Sequence, residues 1–328
     1  MSAQDKHTKD THGKSSSAAG DGEKGDSPPK RLWFDATIIH LSRLTPTVTG
    51  VTVDVDMDRP MLTSDNKGST WQPVNPSRPF DFLPGQWVDF YIPPINKVGG
   101  YSITSLSSHL PRLELAVKKS RHPPADWVTS KAQVGDAVKV RVGGEFVYSP
   151  DREEGIVDGG DCTSLLFIAG GVGINPLYGM LRQLHSDIAK LERANTCRST
   201  EGPKAILLYS ASKVDELLFE AELTDMEHEF PTNFRMIYHV TKEKELGPEI
   251  DSCPLHRRGR ITSDEIDEAL KWATCTNTAE SSDAPSSERG EGISSVYICG
   301  PTGFTEEMSR VCQDHGVLRS GIHFEQWW

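Results

Sequence analysis

The 328-residue sequence lacks features that would each indicate a particular class of protein. It has no apolar run approaching the roughly 20 residues that a helix needs to cross a bilayer. Positive charge is also scarce, since 35 Lys and Arg against 47 Asp and Glu give a net charge of −12. This balance argues against a broad surface for nucleic acid or anionic membrane. We therefore expect no nucleic-acid partner and no membrane span.

Cysteine is scarce as well. The 6 cysteines form no CxxC pair and no dense framework, which argues against both structural disulfides and a built-in iron–sulfur cluster. Free thiols are typical of a reducing compartment, so we expect a cytoplasmic protein. The histidines show no metal-binding spacing, and we expect no metal site. The GxSxG elbow of hydrolases and the Lys-Ser/Thr ending of a P-loop are also missing.

Two segments are too polar to build a core. Residues 1–30 mix Lys, Asp, Ser and Gly and predict a disordered tail. This segment has no apolar stretch of a signal peptide, and its acidic residues are untypical of a mitochondrial presequence. A second polar segment, residues 276–292, predicts a disordered surface loop.

Residues 31–150 predict a first domain made of strands. Short β-rich runs are broken by Pro and Gly, without a convincing helix, and this pattern is typical of an antiparallel barrel. The long polar segment Asp58–Arg78 looks like an insertion between strands. The predicted strands are Trp33–His40, Thr47–Val55, Gln86–Ile92, Gly100–Thr104, Arg112–Lys118 and Ala137–Val142.

Residues 158–328 predict a second domain in which strands alternate with helices. This order is typical of a parallel, Rossmann-like sheet with helices on both faces. Thr262 and Glu265 stand at capping-box spacing before one of the helices. The predicted strands are Leu165–Ala169, Ala205–Ser210, Phe234–Val240 and Val296–Cys299, and the predicted helices are Leu177–Leu191, Val214–Glu229, Ile266–Thr274 and Thr302–His315.

A glycine-rich turn is the most informative motif. The apolar run Leu165–Ala169 stops at Gly170, Gly171 and Gly173, and a helical pattern begins at Leu177. Unpaired N–H groups and the positive end of the helix dipole make such a turn a site for a phosphate or pyrophosphate. Glycine lets the backbone approach the ligand.

Two further segments could carry chemistry. Cys299, Gly300 and Pro301 end a second strand before a helix, where the thiol is either a buried core residue or a neighbour of the bound nucleotide. Residues 99–105 place hydroxyl groups along one strand. A flat polar ring could use them, and an ordinary half-exposed strand is the alternative.

Taken in order, the barrel, the Tyr101-Ser102 strand, the glycine turn, the Cys299-Gly300-Pro301 turn and the terminal aromatics resemble the ferredoxin–NADP reductase superfamily. The resemblance runs from about Leu32 to Trp328. Within it, residues 99–103 and 122–128 are similar to the group called oxidoreductase NAD-binding domain-containing protein 1. That group also implies mitochondria as an alternative location.

The resemblance implies a flavin barrel followed by a nicotinamide-nucleotide domain, and a role for individual residues. Tyr101, Ser102, Cys299 and Glu325 are the implied catalytic residues, around the flavin and nicotinamide rings. The implied cofactor-binding residues are Tyr101, Ser102, Ile103, Thr104, Ser105, Val117 and Lys118 for the flavin, Gly170, Gly171, Val172, Gly173, Pro176, Cys299, Gly300 and Pro301 for the nicotinamide nucleotide, and Trp328 over the flavin.

The implied activity is transfer of a hydride from NAD(P)H to bound FAD, with FMN less favoured, and of electrons to a separate acceptor, either diffusible or a protein. Ser212, Lys213 and Asp215 follow the second strand of the nucleotide domain without an arginine, which favours NADH over NADPH. Two positions depart from the superfamily. Gly99 replaces an arginine that pairs with a flavin phosphate, and residues 122–125 replace a Gly and Ser/Thr loop. The alternative is therefore a nucleotide-binding regulatory protein that has lost its flavin.

Overall fold

The computed structural model describes residues 32–63, 71–73, 80–148, 164–193, 202–243, 255–274, 293 and 295–327. The predicted tail at 1–30, the predicted loop at 276–292 and the predicted domain boundary between 150 and 158 lie outside these residues. The limits of the two domains therefore stay predictions.

The first half of the described chain forms an antiparallel barrel. Its strands lie in the order β3-β2-β1-β7-β4-β5, and β6 pairs with β2. Just after β5, Ile103 bridges to Leu115 in β6, which brings the two ends of the sheet together. The strands are β1 (Trp33–Arg43), β2 (Val48–Thr63), β3 (Trp71–Pro73), β4 (Trp87–Ile92), β5 (Lys97–Ser102), β6 (Arg112–Lys118) and β7 (Ala137–Gly143).

The second half forms a parallel sheet in the order β11-β10-β9-β8-β12-β13. Leu165–Ala169 are all buried because helices cover both faces, as a continuous apolar strand predicts. The strands are β8 (Ser164–Gly170), β9 (Lys204–Ala211), β10 (Phe234–Val240), β11 (His256–Arg258), β12 (Ser295–Pro301) and β13 (Ile322–Trp327).

In the described part of the chain, four helices flank this sheet. Buried residues of α2 (Ile174–Arg193) and α3 (Glu220–Glu229) pack on the face that includes Cys299. Buried residues of α4 (Ser263–Thr274) and α5 (Thr302–Asp314) pack on the opposite face. The predicted fold class, a barrel followed by a Rossmann-like domain, is confirmed. The capping box is confirmed too, since Glu265 accepts from the Thr262 amide at 2.8 Å.

The structure corrects four expectations. The barrel carries a helix, α1 (Pro123–Ser130), because two prolines fix φ at its first positions and so begin a helix rather than prevent one. Part of the expected insertion is strand, since β2 continues to Thr63 and pairs with β3. The helix expected over Val214–Glu229 is broken at Phe219, whose φ is 62°. Strands β11 and β13 were not expected, since they are short and carry polar residues.

Candidate functional site

The glycine turn has the geometry of an anion site. Gly171 has a φ of +56°, and among the described atoms nothing lies within 4 Å of where its Cβ would be. A 3₁₀ turn over Gly171–Gly173 leads directly into the 20-residue helix α2. Val172 packs against the core, and Pro176 is buried in the first turn of α2. Open space therefore adjoins backbone N–H groups at a positive helix end.

The glycine turn and the cysteine turn meet. A Cβ on Gly173 would lie 2.1 Å from the carbonyl oxygen of Cys299, so only glycine allows the two backbones to approach this closely. A Cβ on Gly170 would lie 3.2 Å from Cδ of Pro301, and one on Gly300 would lie 2.7 Å from Cδ1 of Phe304. Residues separated by more than a hundred positions thus form one end of the sheet.

Glu325 extends this sheet end. It pairs in register with Cys299 across β12 and β13, as Trp327 pairs with Pro301. Oε2 of Glu325 is buried without a hydrogen-bond partner among the described residues. Burial raises the pKa of this carboxyl to about 7, because a low-dielectric environment disfavours the charged form. Glu325 can therefore hold a proton near neutral pH. Trp328, the predicted aromatic over the flavin, lies outside the described residues.

Tyr101 and Ser102 lie at the end of β5. The Tyr101 ring is half-buried, and it contacts Phe90 edge to face with 5.8 Å between centroids. Burial of its hydroxyl raises the pKa of Tyr101, so the phenol stays protonated. Ser102 is buried and pairs with Trp87 in β4.

The next three predicted residues take part in closing the barrel. Ile103 is buried and forms the bridge to β6. The Thr104 hydroxyl donates to the carbonyl of Glu114 at 3.0 Å, and the Ser105 hydroxyl accepts from the Glu114 amide at 3.1 Å. Their predicted contacts with a flavin stay predictions.

The predicted residues of β6 differ in exposure. Val117 is 1% exposed and packs in the barrel core, with Thr49 opposite it in β2. Lys118 ends the strand and is exposed. Only Lys118 of this pair can present a side chain to a ligand.

Helix α2 joins the glycine turn to the barrel, through residues that sequence reasoning missed. Asn175 Nδ2 donates to the Ala116 carbonyl at 2.8 Å. Arg182 donates to the Thr104 carbonyl at 2.8 Å and to Glu114 at 2.7 Å. A Cβ on Gly179 would lie 3.0 Å from the Ile103 carbonyl oxygen. We call these contacts the α2 seam. The i, i+4, i+7 spacing of 175, 179 and 182 was the signal for this shared face.

The loop after β9 adds a further link between the two halves. Glu216 accepts a hydrogen bond from the Thr47 hydroxyl in the turn between β1 and β2. Lys213 and Asp215 are exposed, and Ser212 is half-buried. The preference for NADH over NADPH stays a prediction.

Two groups among the described residues are suited to the ring portion of a flavin. Glu325 Oε2 is a buried polar atom with no partner in the described structure, and such atoms call for a ligand or water. The half-buried Tyr101 ring, on the barrel side of the α2 seam, can pack on a flat ring. No metal-binding group of three or more His, Cys, Asp or Glu occurs among the described residues. In this same part of the chain, no helix is long and apolar enough to cross a membrane.

Comparison with known proteins agrees with this geometry. Residues 167–310 match the family described as oxidoreductase NAD-binding domain. Oxidoreductase NAD-binding domain-containing protein 1 of Danio rerio is 39% identical over 254 residues, which cover 76% of this chain and 82% of the relative.

Two solved structures show the same fold. The Amycolatopsis cytochrome P450 reductase GcoB superposes with a TM-score of 0.61 at 19% identity, covering 90% of this chain and 69% of that one. A ferredoxin NADP+ reductase from Neisseria gonorrhoeae with bound FAD and NADP gives a TM-score of 0.58 at 16% identity, covering 90% and 99%.

Proposed function

Because the chain belongs to the oxidoreductase NAD-binding domain-containing protein 1 family, we propose that it is an NAD(P)H-dependent oxidoreductase that uses a bound flavin and a separate electron acceptor. The contact of Gly173 with the Cys299 carbonyl carries this proposal. It brings the start of α2, which we propose binds an anion, beside a sheet end that holds a cysteine and a protonatable carboxyl.

The residues of the chain would divide the work as follows. The start of α2 binds the pyrophosphate of the nicotinamide nucleotide through backbone N–H groups. Cys299 and Gly300 border the nicotinamide, and Glu325 holds a proton on its carboxyl close by. Tyr101 and Ser102 orient the flavin ring from the barrel. A flavin at this place would supply the ability to accept a hydride and to give up electrons one at a time.

The α2 seam supports this division of work. Hydride transfer needs two rings held in contact, and an error of about 1 Å can cost on the order of 100-fold in rate. Asn175 and Arg182 fix α2 to β6 and to the segment after Ser102. The chain's main contributions are therefore orientation and exclusion of water.

The proposed flavin follows from similarity, and the proposed nicotinamide nucleotide follows from the residues of this chain. The reductase from Neisseria gonorrhoeae holds FAD and NADP, and we propose FAD as the flavin here, with FMN less favoured. We propose NADH as the preferred donor. The segment after β9 contains Ser212 and Lys213 but no arginine that could hold the 2′-phosphate of NADPH. The acceptor is a diffusible molecule or a partner protein, and the proposed compartment is the cytoplasm, with mitochondria as the alternative.

A second function is favoured by one observation. Gly99 and the two prolines that begin α1 give a flavin phosphate little to bind. A regulatory protein that binds nucleotide and has lost its flavin would show the same residues, since a fold does not determine an activity.

Anaerobic mixing of the full chain with FAD and NADH separates the two functions. The proposed reductase bleaches the visible flavin absorbance with a rate that saturates in NADH. A Gly173→Ala variant serves as the control, because the glycine turn cannot form in it and NADH should not bleach its flavin. If the wild type binds NADH in equilibrium dialysis but bleaches neither FAD nor FMN, the regulatory function replaces the reductase.

A further inference from the structure

Among the described residues, the end of the barrel formed by β5 and α1 offers no fixed partner for a phosphate. We infer that this chain binds flavin through its ring and not through its phosphate, so that riboflavin and FMN bind with similar affinity. This inference rests on the proposed function, which it deepens by naming the flavin class that the site accepts.

A flavin phosphate needs specific partners. Protein sites hold phosphate with fixed cations or with converging backbone N–H groups at a helix start. One charge-assisted contact of this kind changes affinity by about 10- to 100-fold. Neither kind of partner is present among the described residues of this barrel end.

The space at Gly99 is already filled. A Cβ on Gly99 would lie 2.6 Å from the Tyr101 hydroxyl and 2.9 Å from Cβ of Pro124. Gly99 itself is buried. Tyr101 and α1 therefore pack directly onto the β5 backbone, where a cationic side chain or a phosphate oxygen would have to enter.

The start of α1 cannot replace a cation. Pro123 and Pro124 occupy its first positions and have no N–H groups. The Asp126 amide already donates to the His122 carbonyl at 2.9 Å. The Asp126 carboxylate lies in the first turn, where it neutralises the positive helix end and repels a second anion.

The remaining cations near this end are exposed. Lys97 begins β5, Lys118 ends β6, and Lys119 and Arg121 follow β6; all four side chains are exposed to solvent. An exposed pair of this kind changes affinity by no more than about fivefold at physiological salt. These side chains can attract a phosphate without fixing it.

The start of α2 does suit a phosphate, but the proposed function assigns it to the nicotinamide nucleotide and not to the flavin. The turn Gly171–Gly173 opens onto free space. The flavin ring is left to Tyr101, Ser102 and the sheet end at Glu325.

Equilibrium binding of riboflavin and FMN to the desalted full chain tests the inference, because these flavins differ only by the phosphate. Quenching of flavin fluorescence at about 0.15 M salt gives both dissociation constants. We expect a ratio below tenfold. FMN binding tenfold or more tightly overturns the inference and leaves the proposed function intact.

A double variant, Lys119→Gln with Arg121→Gln, serves as the matched control. Riboflavin affinity should stay unchanged and FMN affinity should fall by less than tenfold. A larger loss confined to FMN would locate a phosphate site in this loop and overturn the inference. If NADH binds but neither flavin does, the inference and the proposed reductase function both fail, an outcome distinct from a preference for FMN.

Discussion

Gly173 lies against the carbonyl of Cys299 so closely that a Cβ would stand 2.1 Å from the oxygen. A backbone carbonyl in a parallel sheet cannot move aside as a flexible side chain can. This pair therefore fixes the distance between the glycine turn and the cysteine turn.

Three glycine-to-alanine variants should form a graded series. Gly173→Ala should destabilise the fold by about 3 kcal/mol or more, through overpacking against backbone. Gly171→Ala should cost about 1–2 kcal/mol, since only its positive φ is strained. Gly303→Ala, in the first turn of α5 with open space around it, is the control and should be neutral or slightly stabilising. Urea unfolding measures the series, and equal costs at all three positions would contradict it.

Cys299 and Cys312, the two cysteines among the described residues, should differ in function. Cys299 lies at the sheet end, whereas Cys312 lies in α5 on the opposite face of the sheet. Cys299→Ala should slow hydride transfer by about tenfold or more, because the nicotinamide loses a positioning contact. Stopped-flow reduction of bound flavin measures the rate. Cys312→Ala is the matched control and should leave that rate unchanged; a loss of equal size would show a purely structural effect.

Glu325 should make the protein less stable as pH rises. Its pKa of about 7 lies above the ordinary value, so the folded state holds a proton that the unfolded state has released between about pH 4.5 and 7. The contribution of Glu325 to the free energy of unfolding is complete below the pKa that its carboxyl has in the unfolded state. This contribution is lost as pH rises through 7, the pKa in the folded state. As pH rises, Glu325→Gln should therefore lose less stability than the wild type, by on the order of 1–2 kcal/mol once the partial exposure of Glu325 is allowed for. Melting temperatures at pH 5.5 and 8 measure it, and parallel pH curves for the two proteins would refute it.

His239 should act in the opposite direction. The ring is fully buried, with Glu265 at 3.7 Å and Arg257 bound to that carboxylate. Burial lowers the pKa of His239 to about 4. The unfolded state therefore binds more protons between about pH 6.5 and 4, and stability is lost as pH falls.

The variant His239→Gln should reduce the loss of stability between pH 6.5 and 4.5 by on the order of 2 kcal/mol. Acid-induced unfolding followed by circular dichroism measures this. In the wild type the effects of Glu325 and His239 partly cancel between pH 4.5 and 6.5, so each variant should reveal the slope of the other. His185→Gln, with the ring nearer the surface beside Glu229, controls for the loss of a histidine.

The α2 seam should contribute measurably to stability. Arg182 bonds both the Thr104 carbonyl and Glu114 in a partly buried place, and Arg182→Ala should cost about 1–3 kcal/mol. Arg310→Ala breaks an exposed i, i+4 pair with Asp314 and should cost no more than about 0.5 kcal/mol. Urea unfolding compares them. Equal costs would mean that the seam contributes no more than a surface pair.

The sequence predicts the fold well where one local signal dominates. The apolar run at β8, the glycines after it and the Thr262–Glu265 box each determine structure through neighbouring residues, and the structure confirms all three. Helix α1 was not predicted, because proline is found at helix starts but also breaks a helix interior, so Pro123 and Pro124 give no clear local signal.

The contacts of the α2 seam could not be predicted from neighbouring residues in the sequence. Asn175 meets Ala116 and Arg182 meets Glu114 across 59 and 68 positions of sequence, and a single sequence contains no signal that pairs them. The spacing on α2 could have indicated a shared face, but not its partner. The filled space at Gly99 depends likewise on where Tyr101 and Pro124 pack.

Helix α2 contacts both the glycine turn and the barrel, and this constrains how the sequence of the protein can change in evolution. One end of the helix adjoins the glycine turn, while Asn175, Gly179 and Arg182 contact the barrel. A substitution at Thr104 or Ala116 that shifts the barrel surface must therefore be matched on α2. The two halves are constrained to evolve together, and a chimera that joins this barrel to a relative's nucleotide half would need α2 redesigned along this one face.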